Sequence, residues 1–306
     1  MNYLETLMLR LAQGAAHFPE ALRARHAQYL RRAQQADGGF AGREGASDLY
    51  YTGFAMRGLA LLGELHGDVA QQAAHYLRSR LRGQTPMIDF LSLMQSAMLL
   101  ENAAGIDVFD AAPTGWRDAA GVMFEQFRRP DGGYAKTDEG QASSTYHTFL
   151  IVVTRQVMGQ SPVEPQRLVD FVRARQRDDG GFVEIGPMRK SGANPTAAAI
   201  GLLKALESLD DDVRQAAIEF LSEMQSDEGG IKANTRIPIA DLLSTFTGLY
   251  TLSDLGALGA VDLAAARRYA DSLQLERGGF RGAAWDDAAD VEYAFYGLGA
   301  LALCSG

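Results

Sequence analysis

The chain of 306 residues carries 38 acidic and 29 basic side chains, a formal net charge of −9, with 47% apolar and 22% charged residues. These are the proportions of a globular protein with a sizeable core. The acidic balance argues against a broad nucleic-acid or anionic-membrane surface and leaves room for a small basic pocket. A single cysteine, Cys304, excludes an internal disulfide and an all-cysteine metal site, which makes the cytoplasm the expected compartment.

From the N-terminus, "MNYLETLMLRLAQGAAHF" has Glu5 within its apolar part and no basic start, so no signal peptide is expected. No apolar run approaches the roughly 20 residues of a membrane-spanning helix. The stretch "QQADGGF" at 34–40 then returns as "RRPDGGY" at 128–134, "QRDDGGF" at 176–182, "QSDEGGI" at 225–231 and "QLERGGF" at 274–280. The leading glycines, Gly38, Gly132, Gly180, Gly229 and Gly278, are separated by 94, 48, 49 and 49 residues. Since 94 is close to two periods, a further unit without the double glycine is expected near residue 85, in "RLRGQTPMIDFLSLMQSAMLL". The spacing gives six units of about 48 residues, starting near 20, 68, 115, 163, 211 and 260, in one domain over 1–306.

Each unit reads alike. A one-faced helical segment such as 212–225 leads to the Asp-Gly-Gly stop, where glycine takes a positive φ at low cost. A loop of about a dozen residues follows, and then a second helix, as at 194–209, 241–256 and 290–303. The second helices are apolar or small nearly all round and should be buried on most sides, with the first helices outside. Six such pairs can form an open solenoid or a closed ring. A solenoid needs polar terminal caps, but the last unit ends in "GLGALALC" and the first follows an apolar helix. The expected fold is therefore all-α, a closed barrel of six α/α pairs with inner-helix N-termini gathered at one mouth.

The Gln-x-x-x-Gly-x-aromatic motif at Gln34–Gly38–Phe40 and Gln176–Gly180–Phe182 resembles the repeat of squalene cyclases and of protein prenyltransferase β subunits. The resemblance covers about 20–303 and implies an α/α toroid that handles isoprenoids. Complement-type thioester domains share that barrel, but their thioester motif is absent. In the β subunits a Gly-Arg…Asp-x-Cys-Tyr element binds zinc and the isoprenoid diphosphate. Here it reads Gly42-Arg43…Asp48-Leu49-Tyr50-Tyr51, with Tyr50 in place of the zinc cysteine. The third zinc ligand of the family corresponds to His147 in Ser144-Thr145-Tyr146-His147-Thr148. The resemblance thus implies a zinc site of which Asp48 and His147 remain, with Tyr50 and Tyr51 beside it. His147 reads equally as a hydrogen-bonded cavity residue. In squalene cyclases an aspartate at the start of an inner helix protonates an alkene, and Asp290-Val291-Glu292-Tyr293-Ala294 is similar to that motif, with Glu292 at the donor position.

Asp48, Asp241 and Asp290 open second helices, where aspartate is a preferred N-cap and also faces the expected mouth. Arg43, Lys136, Arg189, Lys190, Lys232, Arg236 and Arg281 lie in the loops before these helices. Gathered beside helix N-termini they would suit a diphosphate, with Arg43, Arg189, Lys190, Lys232 and Arg236 as the candidate contacts. Aromatics including Phe54, Phe149, Phe246, Tyr250 and Tyr296 alternate with small Gly53, Gly248, Ala294 and Gly297, which suggests an open apolar chamber. The expected function is prenyl transfer from a prenyl diphosphate, with an incomplete zinc site and, for a protein acceptor, an α-subunit-like partner. The alternatives are a small class II terpene cyclase using Glu292 or Asp290, and a non-catalytic lipid- or protein-binding barrel.

Overall fold

The computed structural model describes residues 2–81, 87–110 and 112–305. The degenerate unit expected near residue 85 begins at 82–86, outside the described residues. Thirteen α-helices dominate the described chain: α1 (Tyr3–Ala15), α2 (Glu20–Arg32), α3 (Leu49–Leu61), α4 (Gly67–Arg80), α5 (Met87–Ala104), α6 (Trp116–Glu125), α7 (Thr145–Val157), α8 (Pro165–Arg173), α9 (Ala193–Ala205), α10 (Asp211–Glu223), α11 (Leu242–Asp254), α12 (Leu263–Ser272) and α13 (Val291–Leu303). Two antiparallel ladders stand before α7 and α13, β1 (Tyr134–Ala135) with β2 (Ser143–Ser144), and β3 (Phe280–Ala283) with β4 (Asp286–Asp290). The chain divides into two compact units. The first comprises Met1–Glu5 and Arg117–Tyr269, the second Thr6–Trp116 and Ala270–Gly306.

The helices alternate as the patterning predicts. In the first unit α8 buries Leu168, Val169, Phe171 and Val172 along one face, and α9 packs between α7 and α11. In the second unit α3 packs between α5 and α13. Helix α13 is buried at Val291 and throughout Ala294–Leu303, so that only Glu292 and Tyr293 escape the core. The packing of α13 on α3 brings the last repeat onto the first, as the apolar chain ends imply.

The Asp-Gly-Gly joint has a repeated internal geometry. Gly38 N donates to Gln35 O at 2.9 Å, Gln35 N donates to Gly39 O at 2.8 Å, and Asp37 Oδ1 accepts from Gly39 N at 3.0 Å. The next backbone group, Phe40 N, donates to Thr52 Oγ1 on α3 at 2.9 Å. The same bond, at the same length, joins Tyr134 to Thr148, Phe182 to Thr196 and Ile231 to Thr245. All four threonines are buried. Each joint also presses on the outer helix of the following repeat. A Cβ on Gly38 would lie 2.1 Å from Gln72 O, and one on Gly39 2.7 Å from the Tyr76 ring. Gly132 and Gly133 meet Arg167 O and Phe171 in this way, and Gly180 and Gly181 meet Ala216 O and Phe220. The joint at Gly278 and Gly279 sits on Arg25 O and Tyr29 of α2, so within the second unit the last repeat is seated on the first outer helix.

Two outcomes are expected. Thr196→Val keeps shape but strands the buried Phe182 N–H, and should cost about 1–3 kcal/mol in urea unfolding. At the last joint His26 Nδ1 accepts from Gly279 N at 3.1 Å and its ring stacks on Phe280. Burial, with Arg25 adding to it against a hydrogen bond to Gln274, lowers the His26 pKa from 6.5 to about 4. The folded state therefore prefers neutral His26. Stability is complete above pH 6.5 and declines as pH falls toward about 4. His26→Leu should lower stability at neutral pH and flatten that acid dependence in thermal melts.

Candidate active site

In the second unit the three aspartate and arginine groups near the start of α13 form one clasp. Asp290 caps α13, its Oδ1 accepting from Tyr293 N at 2.9 Å, while its Oδ2 receives Arg43 Nε at 3.1 Å. Arg43 Nη2 donates to Asp286 Oδ2 at 2.9 Å, and the guanidinium lies 5.5 Å from the Tyr293 ring centre. Arg43 is thereby paired on two edges. Asp48 caps α3 through Tyr51 N at 2.7 Å, and burial raises its pKa against that bond. Asp89, in the first turn of α5, is also raised, by burial and then by the Asp48 charge, and sequence reasoning missed it.

One helical residue beyond the Asp290 cap, Glu292 is held between two tyrosines. Tyr50 Oη donates to Glu292 Oε1 at 2.7 Å and Tyr296 Oη to the same oxygen at 3.1 Å. Burial raises the Glu292 pKa, with the Asp290 charge in the same direction and the two hydroxyls opposing it. Around it Phe54 stands edge-on to Tyr50 at 4.9 Å and to Tyr296 at 5.2 Å, with Phe295 at 5.9 Å. Arg57 lies 4.9 Å from the Phe54 ring and donates to Gln95 Oε1 at 2.7 Å. A carboxyl that favours its proton, beside ring faces that attract cations, is equipped for acid–base work on an apolar substrate.

The first unit holds a different arrangement. Ser144 caps α7 by accepting from His147 N at 3.0 Å, and its Oγ lies 2.9 Å from His147 Nδ1. The Ser144 hydroxyl donates to Glu184 Oε1. With that proton directed at Glu184, Ser144 accepts from Nδ1–H, which assigns the lone pair of neutral His147 to Nε2. Burial, with the Lys136 charge adding, lowers the His147 pKa to about 4. Burial raises the Glu184 pKa, opposed by Ser144, Tyr146 N and Arg175. Asp241 caps α11 through Ser244 N at 2.7 Å.

Tyr50, where the resemblance places a thiolate, gives its hydroxyl to Glu292, while His147, with Nδ1 on Ser144, keeps its lone pair on Nε2. Among the described residues no three His, Cys, Asp or Glu side chains come together in a group suited to a metal ion. The loop cations divide by unit. Arg281 pairs with Asp287 at 3.2 Å, as Arg43 does with its two aspartates. In the first unit Arg189, Lys190 and Arg236 are exposed, Lys232 is half-buried, and none of the four forms an ion pair among the described residues.

The expected open chamber is corrected at two glycines. A Cβ on Gly248 would meet Ile231 Cδ1 at 2.5 Å, and one on Gly297 would meet the Phe280 ring at 2.3 Å. Their space is filled by the hydrophobic residue that ends each repeat motif. The sequence signal was available, because both glycines stand seven residues after their caps, Asp241 and Asp290. Seven residues is about two turns, which puts the glycine on the cap's side of the helix.

Paired helices joined by glycine turns, with carboxylates at inner-helix starts, define an all-α protein of the α/α toroid class. The chain belongs to the prenyltransferase alpha-alpha toroid domain family, which matches residues 6–78 and 96–305. Its fold is similar to that of Candida albicans protein geranylgeranyltransferase-I complexed with GGPP, at 17% identity over 92% of this chain and 91% of that one, with a TM-score of 0.72. It is also similar to the type II terpene cyclase MstE from Scytonema, at 15% identity over 97% and 98%, with a TM-score of 0.63. A solved glycosidase variant is similar at 14% identity over 97% and 96%, with a TM-score of 0.61, so the fold alone does not choose the chemistry. No curated protein matches the chain significantly.

Removing one hydroxyl donor tests the tyrosine clamp. Tyr50→Phe should raise the Glu292 pKa further, because the lost bond favours the carboxylate. Carboxyl carbon shifts followed through a pH titration would show it, and an unchanged midpoint would exclude the clamp.

Proposed function

We propose that this chain is an isoprenoid-handling enzyme in which Glu292 supplies the proton that initiates cyclisation of a polyprenyl substrate. The observation that carries this reading is one half-buried carboxyl, bound on a single oxygen by Tyr50 and Tyr296 among the rings of Phe54 and Phe295. Burial favours the protonated acid at rest, and the two O–H donors favour the carboxylate left when the proton departs. In the step, the carboxyl O–H bond breaks and a C–H bond forms at one alkene carbon, leaving a cation at the other. The next double bond supplies the electron pair that closes a ring, and loss of a proton discharges the final cation. Ring faces stabilise the cation throughout. The class of substrate is supported by the relatives: the Scytonema cyclase is solved with geranylgeranyl dihydroxybenzoate as substrate, and the Candida transferase with GGPP.

Prenyl transfer is the second reading, favoured by Arg189, Lys190, Lys232 and Arg236, which form no ion pair among the described residues and suit a diphosphate. It would proceed without the zinc thiolate, and a protein acceptor would call for an α-subunit-like partner.

Geranylgeranyl diphosphate separates the readings. A cyclised product that retains its diphosphate supports cyclisation, released pyrophosphate supports transfer, and tight binding without turnover marks a non-catalytic barrel. Glu292→Gln should lower kcat by about 10²–10⁴ with KM little changed. Full activity in that variant would eliminate Glu292 as the acid.

A further inference from the structure

Two loops of the first unit, 182–192 before α9 and 231–240 before α11, run side by side. Gly192 and Asn234 form an antiparallel bridge, and Ala193 N donates to Ala233 O at 2.9 Å. Their tips are pinned from beneath. Arg177 donates to Gly186 O at 2.7 Å and to Met188 O at 3.1 Å, while Asn234 holds Arg236 N at 3.0 Å and Ile237 N at 3.3 Å. On these tips three large apolar side chains are partly exposed, Met188 at 43%, Ile237 at 40% and Ile239 at 40%. Burying these against an apolar partner would be favourable.

The charge on these tips identifies the partner's chemistry. Arg189, Lys190 and Arg236 are exposed and form no ion pair among the described residues. No acidic residue occurs in 185–206 or in 229–240, although the chain as a whole carries −9. Cations interleaved with apolar side chains suit a surface with anionic groups over hydrocarbon. The acidic remainder would be repelled from such a surface, which fixes the orientation of docking.

We propose that the tips of these two loops seat the protein on an anionic lipid surface, with Met188, Ile237 and Ile239 entering the headgroup layer and Arg189, Lys190 and Arg236 pairing with lipid phosphates. The contact is interfacial, since no helix among the described residues is long and apolar enough to cross a membrane. It places the starts of α9 and α11 toward the lipid. The inference is compatible with cyclisation and competes with the transfer reading, which gives these same cations to a diphosphate.

Sedimentation of the full chain with phosphatidylcholine vesicles, with and without phosphatidylserine, tests it. Binding is expected to the anionic vesicles and to weaken with added salt. The triple charge reversal Arg189→Glu, Lys190→Glu, Arg236→Glu should reduce partitioning by on the order of a hundredfold. The triple variant Met188→Ser, Ile237→Ser, Ile239→Ser should reduce it as well, with helical circular dichroism retained in both. Equal partitioning of the wild type and both variants, or no binding to either vesicle, would overturn the proposal. So would displacement by inorganic pyrophosphate, which would assign these cations to a diphosphate site. Dimerisation in light scattering that the apolar variant abolishes would instead assign the face to a second copy of the chain.

Discussion

Five times the chain brings a tight turn against the flank of a neighbouring helix, and the approach is so close that only glycine permits it. At Gly38 the missing Cβ would stand 2.1 Å from a carbonyl oxygen, a distance that no side-chain adjustment relieves. The second glycine of each pair lies on an aromatic ring, Tyr76, Phe171, Phe220, Tyr269 or Tyr29 in turn. Packing between repeats is therefore set by backbone contact against ring faces. The buried threonines complete the constraint, because each takes the N–H that the turn would otherwise leave unsatisfied in the core.

Where the repeat departs from this rule, the candidate site appears. The last repeat has Ala294 at the threonine position, while Phe280 pairs with Asp290 in the β3–β4 ladder much as Phe40 pairs with Asp48 and Tyr134 with Ser144 in repeats that keep the threonine. That ladder delivers Asp286 and Asp290 to Arg43 and sets the start of α13, where Glu292 and Tyr293 leave the core.

The period, the helix pairs and the caps were legible because each is written locally. Asp48, Asp241 and Asp290 bond to amides three residues on, and no fold is needed to foresee that. The tyrosine clamp was not legible, since Tyr50 reaches Glu292 across 242 residues. Read alone, Tyr50 registers only as an absent cysteine. Arg43 registered as a cation, but its two aspartates lie 243 and 247 residues away. Gly248 and Gly297 signalled space, and a glycine cannot say whether that space is empty or taken by Ile231 and Phe280. The aromatics under the second glycines did recur at the repeat spacing, at Tyr29, Tyr76, Phe171, Phe220 and Tyr269. Their partners lay in the preceding repeat, where a reading confined to one unit does not look.

Asp290 divides its two oxygens between tasks: one ends a helix, the other retains an arginine. Serine, which opens α7 adequately, has a single oxygen and would have to abandon one of them. Asparagine would keep the geometry while surrendering the charge that holds Arg43. Other inner-helix starts can exchange Asp for Ser or Gly, as Ser144 and Gly192 show. The start of α13 lacks that freedom, and across diverging relatives that keep the arginine clasp it should be the slowest of these positions to drift.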